Sequence, residues 1–208
     1  MMAPPAPPQP PLMVCDEWAL RRMNVPERLW ESTYPKLTLE LKRPIHRYVA
    51  SIHSMLRRGV GFWLFGPAGS GKTCGGVVIL KAGWEHGHVG YYTTVKELRQ
   101  SLKENEDFDS SESIMSRVRA VDILVIDDLA ADDFRNFTFG ISDVEHLLKS
   151  RSTRGKTTVL STRLGPEDFS VDYPSILHSM RGTFHAVSCA GTERQDEASL
   201  QLRKDLGG

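Results

Sequence analysis

The chain has 208 residues, of which 40% are hydrophobic, 8% are aromatic and 25% are charged. This composition is close to the average for a globular protein, and it excludes a disordered chain, a collagen-like repeat and a heptad-repeat fibre. The 26 basic residues balance the 26 acidic residues. Any contact with nucleic acid must therefore rest on a local basic patch rather than on net charge.

Nothing in the sequence indicates a membrane protein or a secreted protein. No apolar stretch reaches the roughly 18 residues of a membrane span, and the N-terminus lacks the basic and apolar regions of a secretory signal. Three widely separated cysteines, Cys15, Cys74 and Cys189, fit neither a disulfide framework nor a Cys-x-x-Cys metal site. We therefore expect a cytoplasmic protein with no membrane partner.

The N-terminal part of the chain is rich in proline. Six of the twelve prolines lie between Pro4 and Pro11, and because proline neither continues a helix nor donates to a sheet, this segment is predicted to be extended. It could serve as a spacer or as a docking peptide for an aromatic groove. A short amphipathic helix is predicted over Asp16–Met23. We assign residues 1–24 to this tail and helix, and residues 25–208 to the folded domain.

The pattern of the remaining chain predicts a sheet of parallel strands. Apolar runs predict strands over Gly61–Phe65, Val89–Thr93, Asp122–Ile126, Thr157–Ser161 and Phe184–Ser188. Helices are predicted over Pro44–Arg58, Lys72–Trp84, Val95–Lys103, Ser113–Arg119, Ser142–Arg151, Tyr173–Met180 and Thr192–Leu206. Short strands that alternate with helices favour a parallel sheet covered on both faces. The expected fold class is therefore α/β, an αβα sandwich with a five-stranded parallel sheet.

The strongest motif is the segment GFWLFGPAGSGKT, in which a predicted strand leads into a glycine-rich loop and then into a helix. The loop matches the pattern G-x-x-x-x-G-K-[ST], whose backbone N–H groups surround the phosphates of a nucleotide. Lys72 supplies a positive charge to the β- and γ-phosphates, and the Thr73 hydroxyl can ligate Mg²⁺. The expected nucleotide-binding residues are Gly66, Pro67, Ala68, Gly69, Ser70, Gly71, Lys72 and Thr73.

A second motif follows the predicted strand Asp122–Ile126, which ends in two carboxylates, Asp127 and Asp128. An apolar strand followed by such a pair is typical of a Walker B element. Asp127 is expected to hold Mg²⁺, directly or through water, and Asp128 is expected to orient and polarise the attacking water. Together with the glycine-rich loop, this pair predicts a P-loop nucleoside triphosphatase that uses Mg²⁺.

The order of the strands favours one class of P-loop protein. Val89–Thr93 lies between the loop strand and the acidic strand in the sequence, so another strand can sit between the two motif strands in one sheet. This arrangement is that of the additional-strand P-loop ATPases, which include AAA+ and RecA-like proteins. The sequence also lacks an Asn-Lys-x-Asp motif for guanine, so ATP is favoured over GTP.

From about Val25 to Arg194 the chain resembles the DnaC/IstB-type AAA+ ATPases, which include replicative helicase loaders and transposition helper ATPases. The resemblance begins in VPERLWESTYPKL and continues through GFWLFGPAGSGKT and LVIDDLAADD. It extends through VEHLLKSRSTRGKTTVLSTRLGPEDF, where the family has its sensor strand, to SMRGTFHAVSCAGTER. The resemblance implies that residues 25–208 form an AAA+ ATPase domain. Because few residues follow Gly191, little or no C-terminal helical lid is expected.

The resemblance also assigns roles by position. Thr162 and Arg163 lie where the family has Ser-Asn, and the family's Asn senses the γ-phosphate. Arg163 replaces that Asn, and Thr162 is the candidate for its hydrogen bond. Arg194 matches a sensor-2-like arginine, and Arg181 matches an arginine that could reach the nucleotide of a neighbouring subunit. The predicted catalytic residues are Lys72, Asp128, Thr162, Arg181 and Arg194.

The function that the resemblance implies is that of an ATP-hydrolysing protein that oligomerises with ATP and acts in DNA replication like a helicase loader. Its partners would be a replicative helicase and single-stranded DNA. A transposition helper that recruits a transposase to duplex DNA is an alternative. A non-hydrolysing, nucleotide-gated adaptor is another, because Asp128 is shorter than glutamate and Arg163 is atypical. Candidate DNA contacts are Arg117, Arg119 and the segment 16–58, where nine Lys and Arg face five Asp and Glu.

Overall fold

The computed structural model describes residues 13–104, 114–129 and 141–189, and within them five parallel strands form one sheet. The strands are β1 Gly61–Phe65, β2 Gly90–Thr94, β3 Ile123–Leu129, β4 Thr157–Thr162 and β5 Phe184–Ser188. Their order across the sheet is β2-β3-β4-β1-β5, and every neighbouring pair is parallel. The predicted five-stranded parallel sheet is confirmed, and β4 lies between the two motif strands, β1 and β3.

Helices cover both faces of this sheet. They are α1 Glu17–Arg22, α2 Leu39–Ala50, α3 Ile52–Arg57, α4 Lys72–Glu85, α5 Val95–Glu104, α6 Ile114–Ala120, α7 Ile141–Thr153, α8 Pro166–Asp172 and α9 Pro174–Met180. Phe62 and Leu64 of β1 pack with helices α1 to α4, whereas Trp63 packs with α5 to α9 on the other face. Within the described ranges, no helix combines the length and the apolar character needed to cross a bilayer. The predicted helix Thr192–Leu206 lies outside those ranges.

The helix that was predicted over Pro44–Arg58 begins earlier and is broken. Helix α2 starts at Leu39, and Pro44 lies inside it. Leu41 and Ile45 are both fully buried in the core, and this apolar burial outweighs the one backbone hydrogen bond that a proline cannot donate. The chain leaves the helical conformation at Ser51, after which α3 begins.

Helix α1 and the residues that follow it cover the β2 edge of the sheet. The Asp16 carboxylate caps the helix by accepting a hydrogen bond of 2.9 Å from the Ala19 N–H. The Tyr92 N–H donates to the Met23 carbonyl at 2.8 Å, and the Asn24 side-chain amide donates to the Tyr92 carbonyl at 3.0 Å. These bonds pair the outer side of β2, which would otherwise be an open strand edge.

Arg151, in α7, is a fully buried cation. Its guanidinium donates to the carbonyls of Val118 at 2.6 Å and Val121 at 3.0 Å, and to the Thr158 hydroxyl of β4 at 2.9 Å. Burial lowers the pKa of Arg151 to about 9, and the Asp122 carboxylate partly opposes this effect. The side chain therefore supplies a donor to carbonyls in and just after α6, and it joins α6 and α7 to the start of β4.

We expect Arg151→Met to lower the free energy of unfolding by about 3 kcal/mol or more, because a side chain of similar length would leave these carbonyls without their donor. Urea denaturation followed by far-ultraviolet circular dichroism measures the change. Arg154→Met, at an exposed position just after the same helix, should change the free energy by less than about 0.5 kcal/mol. Equal stability of the two variants would contradict the role of Arg151.

Candidate nucleotide site

The loop between β1 and α4 depends on glycines in backbone conformations that other residues rarely adopt. Gly66 and Gly71 have φ angles of +143° and +88°, which side chains disfavour. A Cβ at Gly66 would lie 2.4 Å from the carbonyl oxygen of Cys189, so the loop passes too close to the backbone after β5 for any side chain there. Gly71 directly precedes Lys72, the first residue of α4. The loop therefore ends at a helix N-terminus, whose N–H groups attract phosphate.

Lys72 is the buried cation of this loop, with 8% of its surface exposed. Its ammonium donates to the carbonyls of Gly66 at 2.8 Å and Pro67 at 2.6 Å, and to the Ser70 hydroxyl at 3.3 Å. Burial lowers the pKa of Lys72, and nearby acidic groups, Asp127 among them, act in the opposite direction. The structure thus places the lysine charge within the loop that the motif predicts to bind phosphate.

The Asp127 carboxylate, in β3, accepts hydroxyl hydrogen bonds from three elements. Thr73 of α4 lies 2.9 Å and 3.1 Å from its two oxygens, Tyr92 of β2 donates at 2.7 Å, and Ser161 of β4 also donates. Because only 6% of Asp127 is exposed, these hydroxyls fix its orientation. A carboxylate beside a hydroxyl supplies the oxygen ligands that Mg²⁺ prefers, so Thr73 and Asp127 fit the metal that the motifs imply.

Tyr92 and Ser161 are contacts to Asp127 that the motifs did not reveal. Both belong to strands that flank β3, near the carboxyl edge of the sheet where ligands of open α/β proteins bind. Their position on predicted strands that could flank the acidic strand was the one feature of the sequence that could have indicated these contacts. Burial, followed by the charge of Asp127, raises the pKa of Tyr92, so the phenol stays protonated and serves as a donor.

Asp128 follows Asp127 directly but points out of the buried cluster. It has a φ angle of +54°, and the pairing of β3 with β4 shifts register between Ile126 and Leu129. The resulting bulge turns the Asp128 side chain outward, so that about half of it is exposed. The Arg163 Nε atom lies 3.5 Å from the Asp128 carboxylate. The residue in the sensor position thus contacts the carboxylate that was assigned to the attacking water.

Of the other predicted catalytic residues, Thr162 contacts the start of the phosphate loop, whereas Arg181 lies at the opposite edge of the sheet. Thr162 is fully buried, its hydroxyl accepts from the Leu164 N–H at 3.1 Å, and its carbonyl accepts from the Gly66 N–H at 3.2 Å. Arg181 is exposed and lies between α9 and β5, at the sheet edge where the strands begin. A five-residue strand, about 16 Å long, separates that edge from the phosphate loop. Arg194 lies outside the described residues.

Comparison with known proteins places this site in a family context. Residues 42–171 match the family described as IstB-like ATP binding protein. No curated protein matches the chain. Among solved structures, the DnaC helicase loader is 19% identical with a TM-score of 0.67, and the match covers 78% of this chain and 99% of that chain. DnaI is 17% identical with a TM-score of 0.65, and the match covers 81% of this chain and 93% of that chain.

A third similar structure is the replication initiator DnaA bound to AMPPCP and single-stranded DNA. It is 14% identical with a TM-score of 0.62, and the match covers 86% of this chain and 56% of that chain. At these identities the likeness is one of fold. With the family match, it confirms the predicted α/β P-loop fold and the predicted relation to the DnaC/IstB-type AAA+ proteins.

We expect Tyr92→Phe to weaken the binding of ATP with Mg²⁺ about tenfold, because loss of a group that orients a metal-holding carboxylate lowers metal affinity by at least that factor. Calorimetric titrations with and without Mg²⁺ measure the change. Tyr91→Phe is the matched control, since Tyr91 packs on the opposite face of the sheet. The role of Tyr92 would be refuted if both variants bound ATP with Mg²⁺ as the wild type does, or if the loss were the same without Mg²⁺.

Proposed function

The chain belongs to the family of IstB-like ATP-binding proteins, and on that premise we propose that it is an AAA+ ATPase that acts on DNA in replication, in the manner of a helicase loader. The observation that carries the ATPase part of this proposal is the meeting of three features at one edge of the sheet. They are the phosphate loop with Lys72, the Thr73–Asp127 pair and the exposed Asp128 carboxylate beside it.

The residues of this site have different tasks in ATP hydrolysis. Lys72 and the N–H groups of the loop bind and orient the triphosphate. Thr73 and Asp127 would hold Mg²⁺, which when bound supplies positive charge against the phosphate oxygens. The Asp128 carboxylate accepts a hydrogen bond from the attacking water and orients it. Arg163 shares that carboxylate at 3.5 Å, so water must compete with a guanidinium for it.

The contact between Arg163 and Asp128 also favours a second candidate function. If the Arg163 guanidinium stays paired with the Asp128 carboxylate, that carboxylate does not orient a water molecule. The protein would then bind ATP without hydrolysing it and act as a nucleotide-gated adaptor. The two side chains are 62% and 54% exposed, however, and ion pairs exposed to this degree contribute little free energy. The pair is therefore easily separated, and we favour hydrolysis.

The proposed partners follow from the relatives. One similar structure is a helicase loader and another is an initiator bound to single-stranded DNA, so we propose a replicative helicase and single-stranded DNA as partners of this chain. The transposition role on duplex DNA, with a transposase as partner, is the alternative that the resemblance in sequence leaves open. Relative affinity for single-stranded and duplex oligonucleotides distinguishes the two roles.

ATP is further proposed to assemble the chain into an oligomer in which Arg181 acts at the nucleotide of the next subunit. Arg181 is exposed and stands about one strand length from the phosphate loop of its own chain. An arginine supplied by a neighbouring subunit stabilises negative charge on the γ-phosphoryl group during transfer. A site that is completed by a neighbour couples nucleotide binding to assembly.

We expect Asp128→Asn and Arg181→Ala each to lower ATP turnover by about a hundredfold or more, because one loses the group that orients water and the other a transition-state cation. An equimolar mixture should recover about one quarter of wild-type turnover, since in a head-to-tail assembly that fraction of interfaces joins an intact Asp128 site to an intact Arg181. Steady-state phosphate release at protein concentrations that saturate assembly measures both effects.

Arg154→Ala is the matched control, because Arg154 is also an exposed arginine that precedes a strand; alone or mixed, it should turn over ATP as the wild type does. A mixture of Asp128→Asn and Arg181→Ala that stays inactive would contradict action of Arg181 across subunits. A wild-type protein that binds ATP and releases no phosphate would instead establish the adaptor.

A further inference from the structure

Helix α2 presents a row of basic side chains on its outer surface. Lys42 and His46, and likewise Arg43 and Arg47, are four residues apart and so lie on one side of the helix. Arg43, His46 and Arg47 are exposed and Lys42 is partly exposed. Within the described ranges, no ion pair involves any of these four side chains. The positive charge of Lys42, Arg43 and Arg47 is therefore available to an external anion.

The two arginines of this row, Arg43 and Arg47, border a cavity at the β5 edge of the sheet. The cavity has a volume of about 580 Å³ and is lined by Arg43, Arg47 and His185 together with Tyr48 and apolar residues. No carboxylate is among the described residues that line it. Strand β5 is the edge strand opposite β2. In the part of the chain that the structure describes, β5 forms backbone ladder bonds with β1 alone, whereas Met23 and Asn24 pair the outer side of β2.

Aromatic rings flank the basic row on both sides. Tyr34 is 38% exposed, and its ring lies 6.2 Å from the ring of His46, centroid to centroid. On the other side, the exposed His185 lies 5.9 Å from the ring of Phe62, which is buried beneath it. Basic side chains interleaved with exposed rings are what single-stranded nucleic acid requires, because phosphates pair with the cations and unstacked bases stack on the rings.

We propose that this surface, named here the α2–β5 surface and formed by Lys42, Arg43, His46, Arg47 and His185, binds the backbone of a single-stranded nucleic acid. Arginine suits this partner, because its planar guanidinium donates two parallel hydrogen bonds to a phosphate. The inference rests on the proposed action on DNA and names the surface that performs it. An acidic peptide that pairs with the edge of β5 would contact the basic side chains but would not stack on the exposed rings of Tyr34 and His46. A single-stranded nucleic acid contacts both, and we therefore favour it.

The test uses the full chain, a fluorescent oligo(dT) probe and a non-hydrolysable ATP analogue, with anisotropy recorded over a series of KCl concentrations. We expect the double variant Arg43→Ala/Arg47→Ala to weaken binding about tenfold and to reduce the slope of log affinity against log salt by about 1.4, since each lost contact to a single strand removes about 0.7. Affinity for the ATP analogue should be unchanged, which shows that the variant is folded.

The matched control is Arg21→Ala/Arg22→Ala, which removes the same charge from exposed positions on α1. Helix α1 covers the β2 edge, four strand spacings or about 19 Å from β5, so its variant should keep the wild-type slope. Equal losses in the two double variants would overturn the inference, because net charge alone would then explain binding.

Three further outcomes would also overturn it. If Arg43→Ala/Arg47→Ala bound oligo(dT) as tightly as the wild type does, DNA would bind another surface, and the proposed function would remain intact. A wild-type chain that binds the ATP analogue but not the oligonucleotide would remove the proposed action on DNA as well. Displacement of the probe by a polyglutamate peptide more readily than by unlabelled oligo(dT) would assign the surface to an acidic protein partner.

Discussion

The buried charge of Asp127 is the constraint on which the rest of this structure depends. A carboxylate with little access to water is destabilising unless hydrogen bonds replace its hydration. Here the replacement comes from the hydroxyls of Thr73, Tyr92 and Ser161, which belong to α4, β2 and β4. Satisfying that charge therefore requires the helix after the phosphate loop and both neighbours of β3 to meet at one point. The same contacts place two oxygen ligands for a metal beside the loop that receives phosphate.

The parts of the fold and site that could be predicted are those with local signals. Strands β1 and β5 have the predicted bounds, and the loop and the two carboxylates are contiguous motifs. The remaining features depend on contacts between distant residues. Tyr92 and Ser161 meet Asp127 across 35 and 34 residues of sequence, and the outward turn of Asp128 follows from a register shift between two strands. Helix α2 extends past its proline because tertiary burial outweighs local preference.

The two edges of the sheet differ in what covers them, and the proposed activities lie at different parts of the sheet. The β2 edge is paired by the segment after α1, with Met23 accepting from the strand. At the β5 edge, a cavity is lined by Arg43 and Arg47 of α2 and by the exposed His185 of β5. Arg181 precedes β5 at the far end of the same edge strand. The nucleotide, the neighbouring subunit and the nucleic acid are thus proposed to contact different parts of one small sheet.

The central claim is that the amides of the loop, Lys72 and Asp127 together hold a nucleoside triphosphate with its metal. Calorimetric titration of ATP and Mg²⁺ into the purified protein tests it most directly. We predict binding by the wild type, a loss of affinity of about tenfold or more in Lys72→Ala, and unchanged affinity in Lys149→Ala, which removes an exposed cation of α7. Absence of binding by the wild type, or binding by Lys72→Ala that equals that of the wild type, would contradict the claim.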